Sequence, residues 1–275
     1  MVLLNNFIDR LNTSKKIFLF FSLLIIQVLF IALIIIFLFN LEFIDILKDN
    51  VSQNIKNIYF SLVYLSLIFN LNLLSEKPFQ RLLKNPVKIK MLFQGFIVGF
   101  ASIVFYYLAL TYQSYFLFTA INVDYLLFGQ ILVLSFIIAL TEELIFRDFL
   151  LRELLKKYSE NKSLIISSYI YAQLHFLRFN LEIWQFIIPL ISLFFIGLIL
   201  SDGYLKKNIF YSIGIHWAWI LIISYLNQTN ILKINNISYL TGGYYPPSGL
   251  FACIILFITV VVLFSKKYQL AKVKR

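Results

Sequence analysis

The chain has 275 residues, 61% of them hydrophobic and 18% aromatic, with a mean hydropathy of +0.86 and a formal net charge of +11. Soluble domains are nearer half apolar, so this composition excludes an ordinary soluble fold and points to a polytopic membrane protein. The length accommodates one integral membrane domain over 1–275 and no separate soluble domain, and the single Cys253 excludes an internal disulfide framework.

A spanning helix needs about 20 mostly apolar residues. In chain order the candidates are roughly 17–39, 57–74, 91–110, 125–148, 163–179, 184–201, 208–226 and 249–265. The expected fold is therefore an all-α membrane bundle of about eight transmembrane helices. The first segment is too long for a signal-peptide core and no small-residue cleavage site follows it, so it reads as a retained span. Past the fourth segment, Arg147 to Lys157 keeps apolar residues at helical spacing with charges between, which predicts an amphipathic extension in the interface. The longest connector is 227–248, whose Gly242-Gly243-Tyr244-Tyr245-Pro246-Pro247 predicts an aromatic turn at headgroup level.

Eight spans beginning inside place 20 of the 24 Lys and Arg on the cytoplasmic side, which predicts cytoplasmic N- and C-termini. This distribution accounts for the positive charge without nucleic acid. The predicted location is an integral, multi-pass position in a bacterial plasma membrane.

Charge inside these apolar segments is costly unless it is paired or lines a wet cavity. Glu142, Glu143 and Arg147 lie in the fourth segment, His175 in the fifth and His216 in the seventh, and the chain has no other histidine. At about 1.5 Å per residue, Glu142 is roughly 25 Å from the outer end of its helix, and the two histidines are roughly 18 and 12 Å from their cytoplasmic ends. All three can meet in the middle or cytoplasmic half of the bilayer. Adjacent helical residues point about 100° apart, so Glu142 and Glu143 are not expected to aim at one point. Glu143 and Arg147, at i and i+4, share a face and predict an ion pair that leaves Glu142 free as a general base toward water. Each element alone has a plainer reading: a structural ion pair, a hydrogen-bonded core histidine, an ion relay.

Taken together, the pattern Glu142-Glu143-x-x-x-Arg147, then Tyr171-x-x-x-His175, then Ser212-Ile-Gly-Ile-His216-Trp-Ala-Trp resembles the CPBP family. These are the type II CAAX-prenyl endopeptidases and the bacteriocin-processing or bacteriocin-immunity membrane proteins. The resemblance covers 125–226, read as the catalytic core region. It implies an intramembrane endopeptidase acting on a membrane-associated, prenylated or leader peptide, with a peptide or lipidated protein and membrane lipid as partners. It further implies that Glu142 and His175 orient and deprotonate the attacking water, that Glu143 holds Arg147, and that His216 stabilises the developing oxyanion.

Two positions depart from the family pattern. Tyr171 stands where Phe is usual, and Ile220 stands four residues after His216 where Asn or Asp is usual. Ile220 cannot hydrogen-bond, so a non-catalytic peptide-binding or bacteriocin self-immunity role is the alternative. Ser212 and Ser224 are the nearby hydroxyls that could replace the missing donor. A proton-coupled transporter fits less well, because deep charge is confined to the second half of the chain. Glu142, His175 and His216 would match a zinc set of two His and one Glu with an open position. The zincin spacing of two His one turn apart is absent, so no cofactor is favoured and zinc is the alternative.

Overall fold

The computed structural model describes residues 11–41, 53–74, 88–112, 116–118, 125–175, 183–229, 231–234, 240 and 249–273. Within them the chain forms helices α1 (Thr13–Phe39), α2 (Gln53–Leu74), α3 (Lys88–Tyr112), α4 (Tyr125–Leu155), α5 (Glu160–His175), α6 (Ile183–Lys206), α7 (Ile209–Thr229) and α8 (Leu250–Val273). Each matches one of the expected apolar segments to within a few residues at its N-terminal end. Five of the eight, α1, α3, α4, α6 and α7, are long and apolar enough to cross a membrane, and α2 and α8 carry the shorter apolar stretches Leu62–Leu71 and Leu250–Ser265. The chain is an integral, multi-pass membrane protein built as a helical bundle.

Local chemistry sets the ends of α1. The Asn12 side chain accepts from the Lys15 amide at 3.0 Å. Asn40 closes the helix in the left-handed region at φ 50°, with its N–H on the Ile36 carbonyl. Asn tolerates that conformation better than most residues. The outward side chains Phe18, Phe30, Phe37 and Leu38 are exposed, as expected of a helix that faces lipid.

The chain divides into two compact units, Met1–Pro86 with Asp148–Tyr158, and Val87–Arg147 with Ser159–Arg275. In the first, α1 and α2 are joined by a reciprocal amide pair. Gln27 donates to Asn70 at 3.1 Å and Asn70 donates to Gln27 at 2.7 Å. Paired amides between apolar helices satisfy each other where water is excluded and add about 0.6 kcal/mol.

The second unit is organised around α3 and α7. A Cβ on Gly95 would overlap the backbone carbonyl of Tyr211, and one on Gly214 would overlap that of Leu92. Only glycine permits the two backbones to come this close, a contact that replaces the missing hydrophobic force between helices in lipid. Ile103, Tyr106, Tyr107 and Leu110 of α3 pack with Ala252 of α8 and with Trp219, Ile222 and Leu226 of α7. Helix α5 lies against α6, where Gly197 meets Ser168 closely.

Three findings bear on the sequence expectations. First, the fifth segment, expected to span over 163–179, is helical over Glu160–His175, and 176–182 lie outside the described residues. Ser163, Ser167 and Ser168 give the described part a buried polar side. Second, the extension beyond Arg147 is helical, with its apolar side chains buried and Asp148 and Arg152 half-buried between them. Phe149, Leu150, Leu151, Glu153 and Leu154 are all buried, and exposure begins only at Lys156. Its Leu144–Leu151 part is π-helical, which changes the side-chain spacing assumed for an α-helix, and Phe149 packs on Phe20 at 4.7 Å between ring centres. Third, Phe116–Phe118 (β1) pairs antiparallel with Leu232–Ile234 (β2), so the connector after α7 starts as a strand. The expected aromatic turn at 242–247 lies outside the described residues.

Candidate active site

The site residues come from three helices of the second unit. Glu142 and Glu143 stand where the α-helical part of α4, Tyr125–Glu143, gives way to the π-helical stretch, and Arg147 lies in that stretch. The Ser167 hydroxyl of α5 donates to the Phe146 carbonyl of that stretch at 3.1 Å. Tyr171 and His175 are one turn apart at the end of α5, and His216 lies in the second turn of α7.

Glu143 and Arg147 form the closed interior of the site. Arg147 Nη1 lies 3.1 Å from Glu143 Oε1, and the side chains are 1% and 0% exposed. The guanidinium also donates to the Gly197 carbonyl at 3.5 Å and stacks over the Tyr171 ring at 4.7 Å. The second Glu143 oxygen accepts from the Ser212 hydroxyl. Around this pair the low dielectric makes each unmatched charge expensive, and the opposite charges offset each other, while Arg147 Nε and Nη1 are buried without a hydrogen bond.

Glu142 is not free. Its Oε2 lies 3.0 Å from His175 Nε2 and 3.5 Å from His216 Nε2. Although neighbouring residues on a helix diverge, both glutamates reach His216, because the imidazole sits between them with Nδ1 at 2.8 Å from Glu143 Oε1. The expectation that the two carboxylates could not address one point is corrected by the ring's width.

Hydrogen-bond partners decide the tautomers. His175 Nδ1 is 2.8 Å from the Tyr171 carbonyl, which can only accept, so Nδ1 carries a proton. The Nε2 of His175 and the Glu142 oxygen then share one further proton between them. His216 Nδ1 faces a carboxylate already paired with Arg147, so it donates, and Nε2 is left as the nitrogen turned toward Glu142 and Tyr171. The Tyr171 hydroxyl lies 3.5 Å from that Nε2.

Two side chains acquire roles not read from the sequence. Tyr171, noted only as a replacement for Phe, is 2% exposed and brings a phenolic hydroxyl to His216. Ser212 is fully buried, and its hydroxyl faces Glu143 and the Leu200 carbonyl. Its single proton is committed there and does not replace the donor missing at Ile220, which is half-buried one turn beyond His216. Among the described residues no group of three or more His, Cys, Asp and Glu side chains is disposed to hold a metal ion, and no step below is routed through one.

The described residues form a multi-pass helical membrane protein with carboxylates, imidazoles and a guanidinium gathered between α4, α5 and α7. Residues 124–222 match the family model of the type II CAAX prenyl endopeptidases, Rce1-like. The match contains every residue of the site described above. No curated protein and no solved structure shows significant similarity to the chain.

Proposed function

We propose that the chain is an intramembrane endopeptidase that hydrolyses a peptide bond of a membrane-associated peptide, lipid-modified or leader-type, with water activated by Glu142 and His175. The observation that carries this reading is the 3.0 Å contact between Glu142 and a His175 whose other nitrogen is anchored on a backbone carbonyl. That is the arrangement of a general base held in one orientation. Glu142 and His175 are also the accessible members of the set, at 13% and 25%, whereas Glu143 and Arg147 are closed off. Water and substrate therefore meet the site at the Glu142–His175 edge.

With Glu142 ionised and His175 protonated, the buried groups balance. Glu143 offsets Arg147, and Glu142 offsets His175. A water at the Glu142 edge gives one proton to the carboxylate as its oxygen attacks the peptide carbon. The carbonyl π pair moves onto oxygen. The alkoxide pair then re-forms the carbonyl as Glu142 delivers that proton to the departing nitrogen, the C–N pair leaves with it, and the products are a carboxylic acid and an amine, the acid's proton passing to the amine to leave a carboxylate and an ammonium. A carboxylate–imidazole pair can activate water in this way without a metal, and the metal content of purified, active protein checks that part of the reading.

The charge distribution supports cytoplasmic termini and a plasma-membrane location, with a peptide or lipidated protein as partner and no role for nucleic acid. The test is a mass-spectrometric assay of purified protein against farnesylated, unmodified and leader-type peptides. We expect cleavage by the wild type and none by Glu142→Gln, with the fold intact, because Gln is nearly isosteric but cannot take a proton from water. His175→Ala should be nearly as severe. Equal turnover by wild type and Glu142→Gln would sink the reading. Tight binding of a peptide with no cleavage by the wild type would favour the self-immunity role, for which the apolar Ile220 is the feature.

A further inference from the structure

We infer that the Tyr171 hydroxyl is the hydrogen-bond donor that receives the oxyanion of the tetrahedral intermediate, in place of a polar side chain at position 220. The inference rests on the peptidase reading above and names the residue that completes it.

The need for a donor follows from a count of protons at the site. The N–H and O–H groups around the reacting edge are mostly committed. Arg147 is closed off beside Glu143 at 1% exposure, with Nη2 on the Gly197 carbonyl and Nε and Nη1 making no hydrogen bond, and Ser212 is spent on Glu143. His175 Nδ1 is spent on the Tyr171 carbonyl, and His216 Nδ1 on Glu143. What faces the reacting edge is then dominated by acceptors, Glu142 Oε2 and the unprotonated Nε2 of His216, which lie 3.5 Å apart. A peptide carbonyl oxygen placed there would meet lone pairs. Ile220 on the next turn of α7 has nothing to donate.

The Tyr171 phenol supplies the missing proton. Its ring is held in place by three contacts: Phe146 edge-on at 5.0 Å, the Arg147 guanidinium at 4.7 Å and the His175 ring at 4.1 Å. A ring pinned this way cannot swing away, so its hydroxyl is delivered to one place, beside His216 Nε2 at 3.5 Å. That distance is long for an O–H···N bond, and a proton held loosely in the resting site is available to a substrate oxygen that becomes a better acceptor as it takes up charge. As the water oxygen attacks and the carbonyl π pair moves to oxygen, the phenol turns its hydrogen from Nε2 to the new alkoxide. The O–H bond is kept throughout. When the alkoxide pair re-forms the carbonyl and the C–N bond breaks, the hydrogen returns to Nε2. If His216 were instead protonated at Nε2, that N–H would point at the phenolic or carboxylate oxygen, and the phenol's own hydrogen would still be the one left for substrate.

The test uses Tyr171→Phe, which removes one oxygen and keeps the ring under Arg147. Full-length protein labelled with ¹⁵N-histidine contributes signals from only two imidazoles, since the chain has two histidines. Two quantities are read: kcat and KM on a farnesylated quenched-fluorescence peptide, and the ¹⁵N signals of His175 and His216. We expect Tyr171→Phe to lower kcat on the order of 100-fold with KM unchanged, as for loss of one oxyanion donor. We also expect the His216 Nε2 signal to move while that of Nδ1 stays. A Tyr171→Phe protein with wild-type kcat overturns the donor role alone, provided Glu142→Gln remains inactive. A loss of kcat in which the His216 Nε2 signal does not move, or in which KM rises in step, also overturns it, because the tyrosine would then be a packing element. A wild type inert toward the peptide overturns this inference together with the peptidase reading.

Discussion

Replacing Glu143 by Gln should destabilise the protein more than replacing Arg147 by Ala, although both break the same ion pair. The pair is 3.1 Å apart and fully buried, and at an effective dielectric of about 20 its gross attraction is about 5 kcal/mol. Removing one member of a buried pair typically costs about 3–5 kcal/mol. Arginine cannot relieve the loss by giving up its proton. In Glu143→Gln the guanidinium keeps the new amide, the Gly197 carbonyl at 3.5 Å and the Tyr171 ring at 4.7 Å, all weaker than the lost carboxylate, with the Glu142 charge farther off. The net loss is then about 3–5 kcal/mol. In Arg147→Ala the stranded carboxylate still accepts hydrogen bonds from Ser212 and from His216 Nδ1, so the loss is smaller by about 1 kcal/mol. The double variant Glu143→Gln/Arg147→Met, with no charge left to strand, should recover most of the stability. The assay is reversible unfolding in mixed micelles by SDS titration, followed through Trp217 and Trp219 of α7. Arg147→Ala proving the costlier single change, or the double variant proving no better than Glu143→Gln, would refute this account of the pair.

Three further outcomes are expected. Gly214→Ala should lower stability by about 1–3 kcal/mol, because its methyl would collide with the Leu92 carbonyl and part α7 from α3, and the same SDS titration reads it; a variant as stable as the wild type would mean the two backbones have room to spare. Ile220→Asn should raise kcat in the Tyr171→Phe background, by restoring a donor one turn beyond His216, and a double variant no faster than Tyr171→Phe would show that position 220 does not reach the oxyanion. Reporter fusions at residue 120 and at the C-terminus should report opposite sides of the membrane, and the same side for both would overturn the orientation drawn from the Lys and Arg distribution.

What the sequence disclosed and what it withheld divide along the range of the interactions. The helices and the Glu143–Arg147 pair were legible because apolar runs and an i, i+4 spacing are local facts. The three motifs were legible because charged side chains in apolar segments are few. The π-helical stretch at Leu144–Leu151 was not, since nothing in its composition distinguishes it from an α-helix; its Phe146 carbonyl accepts from Ser167, 21 residues on. The burial of Ser163, Ser167 and Ser168 on one side of α5 was not legible, because it depends on the neighbouring helix. The strand pair joins two connectors 116 and 232 residues into the chain, a distance over which no pattern speaks.

The same division explains why the two glutamates were given separate tasks. Read along one helix, Glu143 belongs to Arg147 and Glu142 to the reacting water. In three dimensions His216 lies between them, 2.8 Å from one and 3.5 Å from the other, and ties the tasks together. Arg147 keeps Glu143 ionised, and Glu143 holds the proton of His216 on Nδ1. That leaves Nε2 as the nitrogen beside which Tyr171 keeps its hydroxyl. A change to the buried ion pair therefore reaches the chemistry through the tautomer of one histidine. Arg147→Ala should move the His216 nitrogen signals even in a protein whose fold survives, whereas an ion pair serving stability alone would leave them where they are.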